Sequence, residues 1–339
     1  MKEVFVYIVD AEYPHREGKL AGKTPLEWLT FSLGAFPFSV VTEVTEPLPE
    51  ARYIAAIPSS CPLVDEAYIT SCVKEMERRS IASADLGRGK IARRDSFWEE
   101  AKIRFHSERL LDLADGGSRE KAESALYVQV AERLEKEGVI LCDPSLVQIA
   151  ADCVVEKGAV VEPFVRLDNS IVRSGAVIGS FSVLSNSEIG ERAEIIQSRV
   201  VDSKVGAGAK IGPFAYLRMG SDVGANCRIG DFVEVKASSI AEGAKAAHLA
   251  YIGDAEVGAE TNVGCGAVFA NYDGKKKHRT KVGAKAFIGA NVNLIAPVTV
   301  GDGAFIAAAT TVTENVKSGA FVIGRSRAEE KERKTKGET

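Results

Sequence analysis

The chain has 339 residues, 45% hydrophobic and 27% charged, with a formal net charge of −4. The length suggests two domains.

The first apolar run, Val4–Val9, is closed by Asp10. It is too short for a signal-peptide core or a membrane span, which points to the cytoplasm. VFVYIV (4–9) and YIAAIP (53–58) read as buried strands. TPLEWLTFSL (24–33) reads as a helix with Thr24 as N-cap and Pro25 in its first turn. DEAYITSCVKEMERR (65–79) reads as an amphipathic helix with acids first and bases last, which suits the helix dipole. The alternation implies an α/β layer with a parallel sheet. Residues 81–120 carry no clear period. Helical spacing returns from Arg119 to Glu137 and ends at Gly138, where a glycine C′ belongs. The domain boundary is placed there, giving 1–138 and 139–325 with a charged tail at 326–339.

From Val154 to Val316 the texture changes. Aliphatics recur every six residues: Val205, Ile211, Leu217 and on to Val235, then Val282, Ile288, Leu294 and on to Val312. Six fits neither the 3.6 of a helix nor the alternation of a simple strand. It is the hexapeptide signature of a parallel β-helix, with small residues allowing tight corners. Three hexads per coil would give about nine coils, a prism roughly 40 Å long. Between Phe269 and Val282 the phase slips, so NYDGKKKHRTK should bulge out as a loop.

The six cysteines contain no CxxC pair and are expected as buried free thiols. Neither they nor the four histidines show the spacing of a metal site, so none is expected. His248 is the obvious general base near neutral pH if a neighbour fixes its tautomer, and Glu234, fourteen residues back, is a candidate for that neighbour. Arg218, Lys236 and the knot Lys275–Arg279 could clamp a phosphate. For Lys275 and Lys276 a solvated loop tip is the better reading. Asn262 and Asn271 could hold an amine or hydroxyl, although NYDG also reads as a turn. Gly264 and Gly266 are adequately explained by coil corners. No Walker A pattern or GxSxG elbow occurs.

GPFAYLRMG, GDFVEVKASSIAEGAKAAHLAYIGDAEVGAETNVGCG, ANYDGKKKHRT, LIAPVTVGDGAFIAAATTVTENV and the closing IGR resemble a known family. It is that of the bifunctional enzymes that make UDP-N-acetylglucosamine, a precursor of peptidoglycan. Their C-terminal domain is a glucosamine-1-phosphate N-acetyltransferase on a left-handed parallel β-helix. The resemblance spans roughly residues 140–325. It implies acetyl transfer from acetyl-CoA with no metal, His248 as general base and Glu234 as its partner. It also implies sugar-phosphate contacts from Arg218, Lys236, Tyr251 and Lys277, and sugar or amine contacts from Asn262 and Asn271 beside Tyr272. Cys265, Ala290, Ala308 and Arg325 fall at acetyl-CoA positions. Cys265 replaces a usual alanine, and Ala290 replaces a usual serine that contacts the donor. Because the family closes its sites between subunits, a homotrimer is expected.

The N-terminal half resembles the family's uridylyltransferase domain in GKTPLEWL, IPSSCPLVDEAYI and AERLEKEGVILCDPS. The glycine-rich LAAGxGTxM loop is replaced by DAEYPHREGK, which sets Asp10, Glu12 and Glu17 where phosphates would lie. Ser60 stands in place of the metal-binding aspartate. The implied domain is a shortened, degenerate nucleotidyltransferase-like fold without its Mg²⁺ site or uridylyl transfer. Two alternatives remain: a hexapeptide acetyltransferase for another amino-sugar phosphate, and a non-enzymatic scaffold.

Overall fold

The computed structural model describes residues 2–10, 16–17, 19–34, 36–86, 89–101, 103–105 and 119–331. The chain divides into two compact units, Met1–Arg133 with Gln148–Asp152, and Leu134–Val147 with Cys153–Thr339. The division thus falls inside the helix before Gly138 rather than at the glycine.

In the first unit, β1 (Lys2–Val9), β2 (Phe38–Val41) and β3 (Ala51–Pro58) pair in parallel, with β1 in the centre. Against β3 lies the antiparallel β5 (Gly89–Arg93), which pairs in turn with β4 (Ser83–Leu86). The sheet is therefore mixed rather than parallel. Its antiparallel part comes from the stretch whose sequence has no readable period. Helix α1 (Pro25–Ser32) starts with a reciprocal capping box between Thr24 and Glu27. The box satisfies two amides that the first turn leaves open. Helix α2 (Glu66–Arg78) is capped by Asp65, whose carboxylate accepts from the Tyr68 amide at 2.7 Å. Val6, Ile8, Leu29, Ile57, Ile69 and Met76 form the core between these helices and the sheet. Helix α3 (Arg119–Lys136) ends at Gly138, φ 91°, where the Gly138 and Val139 amides donate to Glu135 and Leu134. That is the left-handed glycine stop expected from the sequence.

The second unit is a parallel β-solenoid. One coil shows the plan: a leading face at Phe287–Ile288, an edge at 289–291, a middle face at Asn293–Ile295 and a trailing face at Val298–Val300. Trailing-face strands stack as a nine-stranded sheet. The leading and middle faces join because Arg228–Lys236 and Lys245–Gly253 run unbroken round the edge between them. The phased aliphatics point inward, and Leu217, Val223, Ile229, Val235, Ile288 and Leu294 are all fully buried. Each such side chain stabilises the prism by roughly 1.5–3 kcal/mol. The seams between faces hold buried serines. Ser170, Ser187 and Ser203 pass hydrogen bonds from coil to coil, each hydroxyl donating to a carbonyl two residues back. Their burial is thereby satisfied.

None of the six cysteines is in a disulfide. Cys61, Cys72, Cys153 and Cys227 are buried as expected, but Cys142 and Cys265 are exposed. Among the described residues, no helix is long and apolar enough to cross a membrane.

Candidate active site

The site begins at a close approach of two neighbouring coils. Gly230 has no room for a side chain, since a Cβ there would lie 1.9 Å from the Ala247 carbonyl oxygen. That approach sets Asp231 opposite His248 in register. His248 Nδ1 lies 2.6 Å from Asp231 Oδ1. The carboxyl of Asp231 is held below its usual range, chiefly by that hydrogen bond. With Nδ1 engaged, Nε2 is the nitrogen left for chemistry.

This corrects the assignment of Glu234. Glu234 lies opposite Tyr251, and its carboxylate accepts from Arg218 Nε at 2.7 Å and Nη2 at 2.6 Å. The reason is the length of the coil. Asp231 and His248 are 17 residues apart, so the residue fourteen back from the histidine is displaced along the neighbouring coil. Only the true length of one full coil, which a nominal period of six leaves open by a residue or two, locates the partner.

On the middle face the cations gather. Lys236 is 4% exposed, and its ammonium lies 2.9 Å from Asp254 Oδ2. Burial works against that charge, yet the net displacement is upward because the Asp254 carboxylate faces it. Asp254 in turn is held low by Lys236 and Asn271 against the opposing effect of burial. Asn271 Nδ2 donates to Asp254 Oδ2 at 2.5 Å and lies 3.3 Å from the Tyr251 hydroxyl. Sequence reasoning missed Asp254, which organises two of the expected residues. Lys277 stands beside Lys236, whose ammonium pushes the Lys277 pKa down. Arg218, fixed by Glu234, has its pKa raised by that pairing. Gly253 has no room for a side chain, since a Cβ would sit 2.5 Å from the Tyr251 hydroxyl oxygen and 2.7 Å from Asn271 Nδ2, and its bareness lets these two side chains close over it. Lys236 and Lys277, with Arg218 on the neighbouring coil, set three cations against the carboxylates of Asp254 and Glu234, an excess of positive charge that can seat an anion.

The inserted loop delivers Lys277. Tyr272 and Lys277 form an antiparallel bridge across it, and Tyr272 itself points to solvent. Asp273 accepts from the amides of Lys275 and Lys276 at 2.8 Å and meets His278 Nε2 at 2.7 Å. Those contacts, the Lys276 amide first, pull its pKa down to about 2. Lys275 and Lys276 remain exposed at the loop tip.

Asn262 is not brought into this cluster. It lies on the leading face between Lys245 and Phe287, on the other side of the edge from Tyr251. Along the edge, Cys265, Ala290 and Ala308 follow His248 on successive coils, each three residues past its leading-face strand partner. All three are exposed and short, and Arg325 Nη1 donates to the Ala308 carbonyl at 3.0 Å. The result is an open strip of about 20 Å from His248 to Arg325, at ~4.8 Å per coil, with room for an extended ligand.

In the first unit, Asp10 at the end of β1 pairs with Arg16 and accepts from Ser59 Oγ at 2.8 Å. Ser60 is buried. Glu12 lies outside the described residues, as do residues 332–339 of the tail.

Residues 279–314 match the family described as bacterial transferase hexapeptide (six repeats). The bifunctional protein GlmU of Staphylococcus haemolyticus is 44% identical over 212 residues, 62% of this chain and 47% of that protein. GlmU of an Exiguobacterium species is 45% identical over 217 residues, 64% of this chain and 48% of that protein. Among solved structures, UDP-N-acetylglucosamine acyltransferase from Campylobacter jejuni covers 52% of this chain and 71% of its own, at 18% identity and a TM-score of 0.39. Over its hexapeptide prism the chain thus resembles bifunctional GlmU proteins, and it spans about half the length of these curated relatives.

Proposed function

We propose that this chain transfers the acetyl group of acetyl-CoA to the amine of glucosamine-1-phosphate. The observation that carries the reading is the Asp231–His248 pair, one edge away from the Arg218, Lys236 and Lys277 cation cluster. Asp231 holds the imidazole so that Nε2 accepts a proton from the sugar's amine as its nitrogen attacks the thioester carbonyl. The tetrahedral intermediate collapses, the carbon–sulfur bond breaks, and coenzyme A departs as its thiol after taking up a proton. The cations hold the sugar phosphate. The short residues of the edge let the donor's arm lie along the strip, with Arg325 near its phosphates. Fixing both reactants in one geometry lowers the barrier by several kcal/mol.

The product would feed UDP-N-acetylglucosamine synthesis in the cytoplasm. Asn262 stands across the edge from the other sugar contacts, so closure of the site by a second copy in a cyclic trimer follows. Light scattering that found an active monomer would reject that closure. Uridylyl transfer is not proposed. Asp10 is already engaged by Arg16 and Ser59, and Ser60 offers no carboxylate for Mg²⁺. Pyrophosphate release from UTP and N-acetylglucosamine-1-phosphate, abolished by Asp10→Ala, would overturn this part.

The central test is acetyl-CoA consumption with glucosamine-1-phosphate, compared with other amino-sugar phosphates. Loss of a general base costs roughly 10²–10⁴ in rate, so His248→Ala should lower kcat by that factor. A kcat within about threefold of wild type would reject the role of His248.

A further inference from the structure

The positive charge of the middle face does not end at Arg218. Its outward row presents Arg166, Val183, Arg199, Tyr216 and Glu234 on successive coils. Two arginines of this face are tied to carboxylates, Arg166 to Asp168 and Arg218 to Glu234. Arg199 departs from that pattern. Its neighbours in register are Val183 and Tyr216, and among the described residues no carboxylate meets its guanidinium. Instead the group lies 5.9 Å from the centre of the Tyr216 ring, and the Arg218 guanidinium lies 5.5 Å from the same centre. The half-buried Tyr216 thus helps to hold both cations in place. Arg218 also keeps a donor in reserve. Glu234 takes Nε and Nη2, while Nη1 meets only the sulfur of Met219 at 3.2 Å.

We propose that Arg199, resting on Tyr216, is a second phosphate subsite, and that the acceptor seat takes the diphosphate of a sugar nucleotide. The proposal rests on the sugar-phosphate reading above. Lys236, Arg218 and Arg199 stand on three successive coils, so the cations run over about 10 Å at ~4.8 Å per coil. One phosphate group cannot meet both ends of that row, and two joined phosphates can. The charges agree. Lys236, Lys277, Arg218 and Arg199 are four cations against two carboxylates, Asp254 and Glu234. That surplus matches a sugar nucleotide, in which each of the two phosphates carries a single negative charge. The row also runs from the coil of His248 toward the earlier coils, so a sugar beside the imidazole points its phosphates along it. A sugar monophosphate fills the first subsite and leaves Arg199 in solvent. A sugar nucleotide fills both and excludes the acceptor, which makes it a competitive inhibitor of acetyl transfer.

Calorimetric titration of the full-length protein with N-acetylglucosamine-1-phosphate, UDP-N-acetylglucosamine and UDP tests the subsite. Wild type should bind the sugar nucleotide about tenfold more tightly than the sugar phosphate, the worth of a charge-assisted hydrogen bond. Arg199→Gln should remove that gain and leave the affinity for the sugar phosphate unchanged, which also shows that the fold is intact. Arg199→Lys, which keeps the charge and loses the planar fork, should fall between the two. In acetyl-transfer assays UDP-N-acetylglucosamine should compete with glucosamine-1-phosphate. Equal wild-type affinities for the two sugar ligands, an Arg199→Gln loss shared by both, or UDP binding as tightly as the sugar nucleotide would overturn the second subsite. Wild type that binds neither sugar ligand would overturn the sugar-phosphate reading itself.

Discussion

The coils before Arg218 and those after it share one backbone and differ in what they expose. In both, the inward row is aliphatic and fully packed. In the earlier coils the outward charges pair with each other in solvent. Arg166 meets Asp168 at 3.0 Å, and Arg173 bridges Glu156 and Glu188 at 2.9 and 2.7 Å. In the later coils Lys236 and Asp254 are drawn into the structure, and Arg218 and Lys277 stand around them. Packing fixes the inward rows, so a difference in function can only be written on the outward ones. The later coils spend stability on an arrangement that the earlier coils show to be unnecessary for the fold.

The largest expected effect breaks that contrast directly. Asp254→Ala leaves the Lys236 ammonium buried without its counter-charge, and removing one partner of a buried pair costs about 3–5 kcal/mol. Asp168→Ala, in an exposed pair of the earlier coils, should cost no more than about 1 kcal/mol. Urea unfolding of the two variants measures both. Equal losses would mean that the Lys236–Asp254 pair is no more than another surface contact.

Asp231→Asn sharpens the comparison on the catalytic side. An amide can still touch Nδ1, but it carries no charge to stabilise the imidazolium or to select the tautomer with Nε2 free. The expected result is a kcat lower by roughly tenfold or more with KM little changed. Glu234→Gln should instead raise the KM for the sugar phosphate, because it loosens Arg218. A reversed pattern would restore Glu234 as the orienting carboxylate. Nitrogen NMR of the His248 ring adds a readout that a purely structural role for Asp231 would not move.

The prism was legible in the sequence because its rule is local. Ile211, Leu217, Ile229 and Ile288 each needed only a neighbour six residues away, and each is buried where the period puts it. The N-cap at Thr24 and the glycine stop at Gly138 were legible for the same reason. Asp231 was not. Its partnership with His248 depends on the true length of one coil, which the hexad period leaves uncertain by a residue or two. Asp254 was hidden because its role appears only when Lys236 and Asn271, distant in sequence, meet it. The β4–β5 hairpin of the first unit was missed because short, partly polar strands carry little periodicity.

The smallest expected effect concerns the loop inserted into the later coils. Asp273 holds NYDGKKKHR closed through the amides of Lys275 and Lys276 and through His278, and so keeps Lys277 beside Lys236. Its folded pKa, about 2, lies below the ordinary 3.8. A depressed carboxylate contributes its stability fully above the ordinary value and loses it as the pH falls through the folded one. The Lys275 and Lys276 amide resonances should therefore stay constant from pH 8 down to about 4 and move only as the pH approaches 2. Asp273→Asn should open the loop at every pH, seen as faster trypsin cleavage after Lys275 or Lys276. Because the carboxylate is exposed, the KM for the sugar phosphate should rise only about twofold. Amide shifts that move between pH 8 and 5 would show that some other group, and not the Asp273 carboxylate, controls the loop.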